Sequence, residues 1–294
     1  MQISANGIRL EVEDHGSPAA EPLLLIMGLG MQLTAWPEGF VAALVERGFR
    51  VIRFDNRDIG LSQSLDAAGI PNLAFDSIRY AIGMKVKSPY TLADMAADSV
   101  GVLDALGIAR AHVCGASMGG MIAQHLAAAH PDRLKSLTLM MTSSGARRLS
   151  GPSLKVRASL ISKPKNPGEL ASIVEHYVEL YGLIGSPAYP TPKDELRERF
   201  TRSVKRSYRP AGTARQMVAI AADGDRSALL GRLRGPTHVI HGLADPLIPV
   251  PAGRDLAARL PGATLDLVEG MGHDLPQGLW PRFVSGIATA ATRA

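Results

Sequence analysis

The sequence predicts an α/β protein: a mostly parallel sheet covered by helices on both faces and interrupted once by a helical insertion. Three observations carry that expectation. Short apolar runs alternate with longer stretches of helical apolar spacing along most of the chain. That alternation fails between Ser144 and about Ala222, where Pro and Gly punctuation and basic amphipathic stretches take over. A chain of 294 residues, 46% of them hydrophobic, is long enough for one sizeable core plus an insertion. In chain order, strands are expected near Ile8 to Asp14, Leu23 to Met27, Arg50 to Phe54, Ala111 to Gly115, Leu134 to Met141, Thr237 to Gly242 and Thr264 to Val268. Helices are expected near Trp36 to Arg47, Leu92 to Leu106, Met118 to Ala129, Pro251 to Leu260 and Pro276 to Ala291. Thr91 followed by Asp94 reads as a capping box at one helix start, and Pro131 ends the helix that precedes it. The core is therefore assigned to residues 1–144 and 223–294, and the insertion to residues 145–222.

The segment Cys114-Gly115-Ala116-Ser117-Met118-Gly119-Gly120 contains a G-x-S-x-G pentapeptide between a predicted strand and a predicted helix. In that setting it reads as a nucleophile elbow, where small residues two positions either side of the serine avoid clashes in a sharp turn. A serine hydroxyl needs a base to take its proton and a carboxylate to orient that base. Folds that use this elbow order the three as Ser, acid, His, each after a strand. Asp245 follows the strand ending at Gly242, and His273 follows the strand ending at Val268 in a loop freed by Gly270 and Gly272. Ser117, Asp245 and His273 are the candidate nucleophile, orienting acid and general base. Met140-Met141-Thr142-Ser143, after the preceding strand, offers no rival carboxylate.

With these motifs the chain resembles the α/β-hydrolase family over nearly its whole length. The resemblance implies an eight-stranded, mostly parallel sheet with a helical cap over the active site. It also implies an oxyanion hole made by the backbone N–H groups of Met118, after the nucleophile, and Leu29, in Met27-Gly28-Leu29-Gly30. A further signature is Asp55-Asn56-Arg57-Asp58-Ile59-Gly60, in which Asp58 stands where the usual pattern has Gly. That variant resembles the subgroup containing aclacinomycin-type methyl esterases, which favours a small or medium-sized carboxylic ester as substrate, cleaved through an acyl-enzyme. A serine at the elbow argues against the dehalogenase and epoxide-hydrolase chemistries, which use a carboxylate nucleophile. Alternatives on the same residues are cofactor-free perhydrolysis of the haloperoxidase kind and carbon–carbon hydrolysis of dienone acids; the alternative from another class is a small-molecule receptor without turnover.

Residues 145–225 carry 14 Lys and Arg against 8 Asp and Glu, a net +6, while the whole chain is +5. The insertion thus holds the entire positive excess, which either steers anions toward the site or marks a solvated helix face. Tyr177, Tyr181, Leu183, Met217 and Ile220 are its candidate substrate-lining residues, with ordinary helical core as the other reading, and His176 is a lesser candidate for contact with substrate. Asp55 and Arg57 are expected to form an ion pair beside the oxyanion loop. Cys114 reads as a buried, inert thiol and His241 as a structural histidine. His112, His125, His130 and His238 show no ligand spacing, so no metal is expected. No organic cofactor is called for. The basic stretch from Lys193 to Arg209 lacks a nucleic-acid motif, and the longest apolar run is about half the ~20 residues of a membrane span, so neither nucleic acid nor membrane is an expected partner. One cysteine and the polar start of the chain give a cytoplasmic location as the expectation, with oligomeric state open.

Overall fold

The computed structural model describes residues 1–294. Its elements run β1 (Gln2–Ala5), β2 (Ile8–His15), β3 (Glu21–Ile26), α1 (Glu38–Glu46), β4 (Phe49–Phe54), α2 (Leu73–Ala81), α3 (Leu92–Ala105), β5 (Ala111–Ala116), α4 (Met118–Ala129) and β6 (Leu134–Met140). Four helices follow without a strand, α5 (Leu154–Ile161), α6 (Leu170–Ile184), α7 (Lys193–Arg206) and α8 (Pro210–Asp223), then the short α9 (Ser227–Leu230). The chain closes with β7 (Thr237–Gly242), α10 (Pro251–Arg259), β8 (Thr264–Val268) and α11 (Trp280–Ala291). The eight strands form one sheet in the order β1-β2-β4-β3-β5-β6-β7-β8. The β1–β2 and β2–β4 pairs are antiparallel and the rest parallel.

Alternate residues of the central strands bury into opposite layers, as they must when helices cover both faces. Leu24, Ile26 and Val113 face the core beneath α3 and α4, whereas Leu23, Leu25 and Cys114 face the core beneath α1 and α11. Burial holds the Cys114 thiol above its ordinary range, so it stays protonated. Helix α3 starts with the expected capping box, Thr91 and Asp94 each accepting from the other's backbone N–H. Strand β1 and helix α2 were not among the expected elements. The four-residue β1 is held by its antiparallel pairing with β2, and α2 lies on the surface with none of its residues buried.

Candidate active site

Ser117 sits between β5 and α4 with φ 55° and ψ −120°, a conformation that side-chain-bearing residues seldom hold. The surroundings enforce it. A methyl group added to Gly115 would lie 2.3 Å from the Gly119 carbonyl oxygen, and one on Gly119 would lie 1.9 Å from that of Ile26. The Ser117 N–H donates to the Met140 carbonyl at 3.0 Å, and the Thr142 hydroxyl donates to the Ser117 carbonyl at 2.7 Å.

Asp245 lies in the turn after β7, only 5% exposed. One carboxylate oxygen accepts the N–H groups of Leu247 and Ile248 at 2.9 and 2.8 Å, and the other accepts from His273 Nδ1 at 2.8 Å. Two amides thus fix the carboxylate so that its free oxygen meets the imidazole. His273 Nε2 in turn lies 3.0 Å from Ser117 Oγ, in position to accept its proton. The loop bearing His273 is pinned by the end of α6: the His273 N–H donates to the Ile184 carbonyl at 2.7 Å and the Gly272 N–H to Ser186 Oγ at 2.9 Å. The same Ser186 hydroxyl bonds Asp274, whose carboxyl burial pushes above its ordinary range. His241 Nε2 donates to the Ile248 carbonyl at 2.7 Å, while its Nδ1 has no partner, and burial pushes its pKa down. It is a neutral ring that props the Asp245 turn.

The loop after β3 closes against Ser117: a methyl group on Gly28 would lie 3.7 Å from Ser117 Oγ. The residue before Leu29 thus lies against the nucleophile, which Met118 follows directly in the chain. This loop is held from the helical insertion. The Gly30 N–H donates to Gln216 Oε1 at 2.9 Å, and Gln216 Nε2 donates to the Arg57 carbonyl at 2.9 Å. Gln32 donates to the Ser203 and Ser207 carbonyls at 2.7 and 2.8 Å and accepts from Arg206 at 2.6 Å.

The expected Asp55–Arg57 ion pair does not form. Asp55 turns inward, accepts the Leu33 and Leu61 N–H groups and pairs with Arg206 at 2.7 Å. Arg57 points the other way, to a bidentate pair with Asp98 on α3 at 2.6 and 2.7 Å. Asp58, at φ 73°, forms a bidentate pair with Arg215 of α8 at 2.8 and 2.7 Å, both side chains being fully buried. Two ion pairs thus tie the signature turn to the insertion.

Of the expected lining residues, Tyr177 and Tyr181 pack on Phe200 at 5.1 and 4.8 Å between centroids. The Tyr181 hydroxyl also reaches Met31 Sδ at 3.6 Å, and Tyr177 lines a cleft with Gly30, Met31 and Tyr208. Ile220 packs half-buried against the main core, while Leu183 and Met217 are half-buried on α6 and α8. His176 meets the Tyr177 ring edge-on at 5.9 Å. Gln32, Arg206, Arg215 and Gln216 had escaped the sequence reading. Only Asp58, out of place in its motif, signalled that something there required a partner. No group of three or more His, Cys, Asp or Glu side chains is arranged to hold a metal ion.

A family model described as alpha/beta hydrolase fold matches residues 21–276, and the chain belongs to that family. It is an enzyme of the carboxylesterase type. It is 32% identical to rhodomycin D methylesterase DnrP of Streptomyces peucetius and 31% identical to rhodomycin D methylesterase DauP of Streptomyces sp. (strain C5), in both cases over 99% of this chain and 97% of the relative. Among solved structures, the enol-lactonase from Burkholderia xenovorans LB400 superposes with a TM-score of 0.71 at 27% identity, covering 99% of this chain and all of that one (100%).

Proposed function

We propose that the chain hydrolyses a carboxylic ester of a small or medium-sized molecule through an acyl-enzyme on Ser117. The observation that carries the reading is the continuous relay from Asp245 through His273 to Ser117, at 2.8 and 3.0 Å. His273 Nε2 takes the Ser117 proton as Oγ attacks the ester carbonyl, and the Asp245 carboxylate holds the Nδ1–H tautomer and offsets the imidazolium charge. The Leu29 and Met118 N–H groups stabilise the tetrahedral oxyanion. His273 then protonates the leaving alkoxide, and afterwards deprotonates a water that releases the acid and restores Ser117. Residues 145–222 act as the cap, Tyr177 lining the cleft beside the oxyanion loop and Tyr181 reaching Met31 of that loop.

The two Streptomyces relatives are named as methylesterases, so methyl esters are the first leaving-group class to test. Hydrolysis of p-nitrophenyl acetate, butyrate and octanoate, and of the matching methyl esters, is compared between wild type and Ser117→Ala. Turnover of esters by the wild type that the variant loses is the expected result. Wild-type rates no higher than the variant's would overturn ester hydrolysis and leave perhydrolysis, carbon–carbon hydrolysis or ligand binding.

A further inference from the structure

Helix α2 is built inside out. Phe75 and Ile78, with Ile82 at its C-terminal end, fall on one stripe at i, i+3 and i+7 and are 55%, 61% and 65% exposed. Asp76 and Arg79 are instead half-buried, and no residue of the helix is buried. A surface helix ordinarily turns its apolar stripe to the core and its charges to water. Six of the thirteen large exposed apolar side chains of the protein fall between Ile70 and Met84, and two more, Leu154 and Ile161, belong to α5. The turn after α2 meets the stretch that leads into α5, since a methyl group on Gly83 would lie 3.4 Å from the Arg147 guanidinium.

The surroundings of this face are predominantly basic. Residues 70–90 hold Arg79, Lys85 and Lys87 against Asp76 alone, and residues 145–168 hold six Lys and Arg with no Asp or Glu. Lys85, Lys87, Lys155, Arg157, Lys163 and Lys165 are all exposed. The like charge disfavours a second copy docking face to face, because two such rims repel. A surface that offers both an apolar interior and negative charge fits both features. We propose that α2 and α5 form a docking face for an anionic lipid surface, with Phe75, Ile78 and Ile82 entering the acyl boundary and the lysines meeting lipid phosphates. No helix is long and apolar enough to cross a membrane. Peripheral docking needs none, so the expectation of no membrane partner, which rested on the missing span, does not bear on this face. The proposal is independent of the roles assigned to Ser117, Asp245 and His273.

The test is co-flotation of the full chain with vesicles of phosphatidylcholine and with vesicles of equal parts phosphatidylcholine and phosphatidylglycerol. Binding to the anionic vesicles is expected to exceed binding to the neutral ones by at least about tenfold, and to fall as salt is added. Lys85→Ala and Lys87→Ala should each weaken it about fivefold, the equivalent of about 1 kcal/mol per basic residue. Phe75→Ser with Ile78→Ser should abolish it, while turnover of a water-soluble ester stays unchanged in all variants. Absence of binding at low salt, or binding that neither set of variants weakens, overturns the proposal. A concentration-dependent dimer that Phe75→Ser with Ile78→Ser dissolves would assign the face to a second copy instead, and overturn it equally.

Discussion

Replacing Arg215 with Met tests how the insertion is fastened to the core. The guanidinium makes two bonds to Asp58, one to the Gly69 carbonyl at 2.8 Å and one to Asp66 at 3.0 Å, in a site where Asp58 is 0% and Arg215 1% exposed. Methionine fills much of the volume but leaves the Asp58 carboxylate buried and unpaired, which costs about 3–5 kcal/mol. In a chain of this length each kcal/mol moves Tm by about 2 °C, so thermal unfolding should shift down by about 6–10 °C. A second substitution separates the stranded charge from lost packing. Asp58→Gly removes the stranded charge and places at φ 73° the one residue that adopts a left-handed backbone without strain. It still costs the Leu65 N–H its acceptor, now 2.7 Å away on Asp58, a loss of about 1–3 kcal/mol. The double variant should therefore be more stable than Arg215→Met alone. A single-variant shift under about 2 °C, or a double variant no more stable than Arg215→Met, would refute the idea that this pair fastens the two parts of the chain.

Gln216→Leu removes the acceptor of the Gly30 N–H, one residue from Leu29; kcat should fall about tenfold with little change in KM, and Gln216→Glu should restore part of it because a carboxylate still accepts. Equal loss in both variants would contradict that reading. Burial lowers the pKa of His112, His176, His238 and His241 from the ordinary 6.5. Below that value the unfolded chain binds protons that the folded one refuses, so these groups make stability fall as pH falls, and Tm should drop between pH 7.5 and about 5.5. Asp55 and Asp274, whose carboxyls burial pushes upward, act in the opposite sense over the pH range above the ordinary carboxylate value. A Tm that rises on acidification would mean they outweigh the histidines.

The parts legible in the sequence were those set by local rules. The elbow was readable because backbone crowding demands small residues at Gly115 and Gly119, and Asp245 and His273 because each follows a strand in a fixed order. The seven expected strands lie within a residue or two of their predicted bounds, since apolar runs of that length have few alternatives in an alternating chain. Helix α2 was not read from the sequence: it is nine residues long, and Phe75 and Ile78 alone give a short apolar repeat. What holds the site was illegible for a different reason. Arg206 meets Asp55 across 151 positions, Arg215 meets Asp58 across 157 and Gln216 meets Gly30 across 186, and spacing along the chain carries no trace of such partners. The expected Asp55–Arg57 pair failed on the same ground: neighbours in sequence, they point to opposite sides of the turn.

Ester hydrolysis by the proposed route requires that Ser117 Oγ be the atom acylated by substrate. Mass spectrometry of protein quenched during turnover of p-nitrophenyl acetate, or after exposure to a p-nitrophenyl phosphonate, reads this directly. One adduct per chain, mapped to the peptide containing Ser117 and absent in Ser117→Ala and greatly slowed in His273→Ala, is the predicted result. An adduct on another residue, or unimpaired ester turnover by Ser117→Ala, would contradict acylation of Ser117.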